Sequence, residues 1–195
     1  MPSSSDNSSA PAPLNTIYIN YTGEISSEKM NKLMAVVTEA KATYSPDTFY
    51  FLFSSYGGSV DAGIHFYNFL KSLPQKIIMH NIGSIDSIAN VVFLSGDERY
   101  ATEHSSFHLH GVTWTLQAAS YTRLQLREFQ SGLEQAERKI AGIYMAHSNL
   151  LEEDILGLFT QGESKDSHFA LEKGFITSIC DANIPPDMLF LSCNF

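Results

Sequence analysis

Two cysteines in 195 residues, Cys180 and Cys193, are too few for a disulfide framework, so a reducing compartment, the cytoplasm, is expected. Basic residues are also scarce: 12 Lys and Arg stand against 21 Asp and Glu, a formal net charge of −9. Nucleic acid or an anionic membrane would select a basic face, so neither is expected as the main partner. No apolar run is long enough to cross a bilayer. The opening MPSSSDNSSAPAP lacks the basic start and apolar stretch of a secretory signal, and residues 1–14 read as a flexible Ser/Pro/Ala tail. No internal repeat is visible. What remains, residues 15–195, suits one domain large enough to build a core without staples.

The apolar pattern alternates strand with helix. NTIYINY (15–21), TFYFLF (48–53) and KIIMHNI (76–82) have the density of strands buried in a parallel sheet. Between them, Met30, Leu33, Met34 and Val37, then Ala62, Phe66 and Leu70, recur at helical spacing, with Ser26 or Ser27 as the first cap. A third helix is expected from Ser87 to Leu94. This order predicts an α/β fold on a parallel sheet. Short strands follow around ERYAT and SSFHLHG. An amphipathic helix over about 115–148, with Leu126, Phe129, Leu133, Ala136 and Ile140 on one stripe, is longer than such a domain needs and is expected to project and pack against another copy. Two short helices (151–160 and 166–174) and a strand (175–179) complete the pattern.

Two small-residue turns and one histidine carry the chemistry. Ser87 in NIGSIDSIAN (81–90) opens a helix, where free N–H groups favour developing negative charge. His110 closes the apolar strand of FHLHG (107–111), and a second turn, SSYGGSVDAG (54–63), lies upstream. Serine and histidine in this setting point to nucleophilic acyl transfer. His108 and His110 alternate along a strand and would face one way, yet no carboxylate or cysteine at suitable spacing supports a metal, and no cofactor is expected.

Taken together, SSYGGSVDAG, NIGSIDSIAN, FHLHG and FALEKGFI resemble, in order and approximate spacing, the proteolytic subunit of the Clp protease, over about residues 15–182. The resemblance implies a crotonase-like fold of repeated β-β-α units with a protruding handle helix. It implies homo-oligomeric heptameric rings, two of them stacked around a chamber, and an ATP-driven unfoldase that feeds peptide or unfolded protein. It places Ser87 on the nucleophile and His110 on the general base of a serine endopeptidase. The backbone N–H groups of Gly58 and Ile88 fall on the oxyanion hole.

The chain departs from the family pattern at three places. Tyr56 replaces the proline of the Gly-Gly turn, and Asp86 replaces a small apolar residue. An ungapped match from Gly174 puts Gly162 where the family has its catalytic aspartate. A one-residue deletion brings Glu163 there instead, and Glu163 is taken as the third triad member, with Asp166 and Asp86 as alternatives. Two other readings follow from the same residues: a crotonase-type acyl-CoA enzyme, and a non-catalytic or regulatory ring subunit.

Overall fold

A computed structural model describes residues 15–193 and Phe195; the expected tail of residues 1–14 lies outside the described residues. One sheet organises the molecule. β1 (Thr16–Thr22), β2 (Thr48–Ser55) and β3 (Lys76–Asp86) pair in parallel, with Ile17 beside Phe49 and Phe49 beside Ile77. The sheet extends through β5 (Ser106–Leu109) to the antiparallel β6 (Glu163–Asp166) on one side, and to β8 (Phe190–Cys193) on the other. β4 (Glu98–Ala101) branches from the lower part of β3 and carries β7 (Ser178–Ile179).

The crossover helices α1 (Ser27–Tyr44) and α2 (Val60–Lys71) begin where serines supply a cap: Ser26 Oγ accepts from Lys29 N–H, and Ser59 Oγ from Ala62 N–H. Their apolar stripes, Met30, Leu33 and Val37 with Phe66 and Leu70, enter one core with Ile17, Ile19, Phe49, Phe51 and Phe53. Each such side chain contributes about 1.5–3 kcal/mol on full burial. α3 (Ala89–Phe93) is wholly buried and shorter than expected, because β3 runs on through Asp86. Three short elements follow: α5 (Glu152–Gln161), β6 and α6 (Ser167–Glu172).

The long helix α4 (Arg123–His147) starts well after the expected position near 115. The cause is a capping box. Thr122 Oγ1 accepts from Gln125 N–H at 3.3 Å while Gln125 Oε1 accepts from Thr122 N–H at 2.9 Å. At 25 residues α4 is about 37 Å long. Only Ile140, Ala141 and Tyr144 of it are buried, so its first turns rest on few tertiary contacts. Thr122→Ala is therefore expected to lower local stability by about 1 kcal/mol, seen as faster amide exchange over residues 123–127.

Beyond α4, Arg99 joins β4 to the chain's C-terminal third. Its guanidinium donates to the carbonyls of Phe175 (2.6 Å), Gly96 (2.9 Å), His147 (3.0 Å) and Gly174 (3.2 Å). Two histidines sit nearby, His80 buried and His147 half-buried. His80 is fully buried, its Nε2 donating to the Cys180 carbonyl (3.0 Å) and its Nδ1 facing the Tyr50 hydroxyl (2.6 Å). His147 faces the Tyr67 hydroxyl at 2.7 Å. Burial holds both imidazoles below the ordinary histidine value, with Arg99 and Lys71 adding to the effect at His147. The unfolded chain thus takes up protons first as pH falls. Their stabilisation is complete above the free imidazole value of about 6.5 and is lost below it. Denaturant midpoints are expected to drop between pH of about 7.5 and 5.5, and a flat profile would contradict this.

Candidate functional site

Ser87 stands between a strand and a helix, as the sequence suggested, but in a tighter turn. Its φ is 57°, a left-handed conformation that β-carbon-bearing residues seldom adopt. The turn is held from three sides. Ser87 N–H donates to the His108 carbonyl at 2.9 Å. The buried Asn90 amide donates to the carbonyls of Ser87 (3.0 Å), His108 (3.0 Å) and Ile85 (3.2 Å). Gly57 closes the third side. A Cβ there would lie 2.7 Å from both the Asp86 carbonyl oxygen and Ser87 Cβ. Asn90 was not singled out from the sequence, where a polar residue one turn into a helix carries no distinctive spacing.

The neighbouring Gly58 adopts φ 147° and bridges to Ile25. A Cβ at Gly58 would meet the Ile25 carbonyl oxygen at 2.3 Å. Ile25 N–H donates to Gly57 O (2.8 Å) and Ser59 N–H to Ile25 O (2.7 Å), which leaves Gly58 N–H between them with no acceptor among the described residues. Ile88 N–H likewise has none.

Four of the expected residues, Gly58, Ser87, Ile88 and His110, line one small cavity of about 50 Å³, walled by Ile140 and Tyr144 of α4. Ser87 and His110 both line this cavity, with no hydrogen bond between their side chains. The cavity adjoins a groove of about 490 Å³ that runs between residues 58–61, residues 112–115 and α4 from Gly132 to Lys139.

His110 follows β5 directly. Its Nδ1 lies 2.7 Å from the carbonyl oxygen of Gly111. A carbonyl only accepts, so this contact fixes the proton on Nδ1 and leaves the lone pair on Nε2. That is the tautomer a general base requires. The carboxylates considered for the third role lie elsewhere. Glu163 sits in β6 opposite Leu109, mostly exposed, and pairs with Lys165 at 2.7 Å, which lowers its pKa. The expected contact from Glu163 to His110 is not made, because the strand pairing and Lys165 direct that carboxylate away. Asp166 caps α6 by accepting from Phe169 N–H (2.8 Å), and Asp86 accepts from Ser84 Oγ (3.1 Å). The residue beside His110 is Gly162, which ends α5 at φ 59° and whose Cβ position would be 3.9 Å from His110 Cβ.

Among the described residues no group of three His, Cys, Asp or Glu side chains is placed to hold a metal ion. His108 contacts Ser164 Oγ at 3.3 Å, with its ring 5.2 Å from that of His110. No helix among these residues is long and apolar enough to cross a membrane.

The family model described as Clp protease matches residues 7–183. The chain belongs to the Clp protease family. It is 28% identical over 117 residues to the ATP-dependent Clp protease proteolytic subunit 2 of Pseudomonas aeruginosa, a stretch covering 58% of either chain. The match thus spans less than two thirds of that relative's length. Within this Clp protease family member, the turn of Ser87 and the Gly57–Gly58 turn both fall inside the matched residues.

Proposed function

We propose that the chain is a serine-type endopeptidase that cleaves peptides or unfolded protein segments within an oligomeric assembly. The observation that carries this reading is the convergence of Ser87, His110, Gly58 and Ile88 on one cavity, the last two with N–H groups that have no acceptor among the described residues. In the first step Ser87 Oγ attacks the scissile carbonyl as its proton moves to His110 Nε2. The carbonyl π pair becomes an oxyanion held by Gly58 and Ile88 N–H. Collapse breaks the C–N bond, the amine leaves with the proton from His110, and an ester to Ser87 remains. Water then repeats the sequence and releases the acid. Rotation of the Ser87 hydroxyl, or a small approach of the two chain segments on substrate binding, supplies the missing Ser87–His110 hydrogen bond.

The groove beside the cavity has space for an extended peptide, with Asp61 and Lys139 among its lining residues. Family membership and the exposed Leu124 and Leu126 at the free end of α4 support assembly into homo-oligomeric rings, with α4 as the handle and an ATP-driven unfoldase as partner. A cytoplasmic location accords with the sparse cysteines. The test is covalent: a fluorophosphonate probe should modify Ser87 in the full-length assembled protein, located by peptide mass mapping. One observation favours a second reading, a regulatory ring subunit: no carboxylate among the described residues contacts His110. Rings that form normally yet never react with the probe would select it.

A further inference from the structure

A single peptide unit links His110 to a carboxylate on α4. The Gly111 carbonyl accepts from His110 Nδ1–H at 2.7 Å, and the N–H on the other end of the same unit, that of Val112, donates to Glu137 Oε1 at 3.2 Å. No peptide bond in the described chain is cis, so the C=O and N–H of this unit point in opposite directions and the three groups form one chain. The approach is close: a Cβ on Gly111 would stand 2.9 Å from Glu137 Oε1, so a larger residue there would push the carboxylate back. Gly111 N–H donates to the Phe159 carbonyl at 3.1 Å, which fixes the preceding end of the segment. No lysine or arginine among the described residues forms an ion pair with Glu137.

We propose that Glu137 is the positioning carboxylate of this site, acting on His110 through the Gly111–Val112 peptide in place of the side chain that Gly162 lacks. A negative charge at the N–H end polarises the peptide and raises electron density on the carbonyl oxygen. That oxygen then holds Nδ1–H more firmly and steadies the imidazolium formed when His110 takes the Ser87 proton. Glu137 touches neither substrate nor the reacting atoms.

The inference rests on the serine endopeptidase reading, and the experiment separates the two. Fluorophosphonate labelling rates and peptidase kcat and KM are measured on the full-length assembled protein and on Glu137→Gln, Glu137→Ala, Gly162→Asp and the double variant Glu137→Ala/Gly162→Asp. Glu137→Gln is isosteric and still accepts from Val112, so a fall in kcat of about tenfold at unchanged KM reports the lost charge. Glu137→Ala also frees the peptide unit and is expected to lose about 10²-fold. Aspartate tolerates the left-handed backbone at 162 and meets only ordinary contact with His110 Cβ. The double variant should therefore recover at least about tenfold over Glu137→Ala, because a direct carboxylate makes the relay unnecessary. Wild-type rates in both Glu137 variants overturn the inference. So does a loss in Glu137→Ala that Gly162→Asp leaves unrecovered, or a loss in Glu163→Gln with none in Glu137→Gln. If the unaltered protein and every variant fail to label, the endopeptidase reading falls and takes the inference with it.

Discussion

Ser87→Ala is expected to reduce peptide cleavage by about 10⁴–10⁶-fold and to abolish fluorophosphonate labelling, while the melting temperature stays level or falls slightly. The size of the effect follows from what the hydroxyl does. Without it His110 has no nucleophile to activate, and only the two N–H groups and substrate binding remain. The structural cost is small because nothing accepts from or donates to Ser87 Oγ among the described residues, whereas the backbone of Ser87 bonds to His108 and Asn90 and is kept by alanine. The left-handed φ of 57° persists in the variant and strains alanine about as much as serine. Labelling that continues at another residue, or cleavage within tenfold of the unaltered protein, would contradict the role of Ser87.

Gly58→Ala should damage stability and chemistry together. At φ 147° an added methyl lies 2.3 Å from the Ile25 carbonyl oxygen, a backbone atom that cannot swing aside. Relief requires parting the Ile25–Gly58 bridge, with the hydrogen bonds at Gly57 and Ser59 that flank it. Strain of this kind costs on the order of 1–3 kcal/mol, and displacing one oxyanion donor slows turnover about 10²–10³-fold. Chemical denaturation gives the first quantity. The second comes from kcat at a temperature where the variant is still folded, so that loss of fold is not read as loss of catalysis. A variant with unchanged kcat would show that Gly58 N–H takes no part.

Much of this architecture can be read from local patterns. Strands β1, β2 and β3 are dense apolar runs, and α1 and α2 carry serine caps and a four-residue stripe. The misses share a cause in tertiary pairing. β6 is ESKD, with no apolar residue, and exists because its backbone completes the edge of β5. β8 is four residues long and is recruited by β1. The late start of α4 was legible after all, since Thr122 and Gln125 stand at the spacing of a capping box. At the site, Ser87, His110, Gly58 and Ile88 line one cavity. Glu163 does not join them, because spacing along the chain does not set which way a side chain on an edge strand turns. Glu137 had no sequence signal: its relation to His110 runs through a backbone unit and a helix that folds back onto it.

The placement of β1 has a consequence for how the molecule is made. Its two neighbours in the sheet are β2, close by in the chain, and β8, whose Phe190 aligns with Tyr18. Until that distant segment has left the ribosome, one side of a strand containing Ile17, Ile19 and Tyr21 offers an unmatched row of amide groups to any other extended polypeptide. Parallel pairing over so long a loop forms slowly. The nascent chain therefore passes through an interval of sticky incompleteness, during which a chaperone, or dilution from its own copies, decides whether synthesis yields folded protein or aggregate.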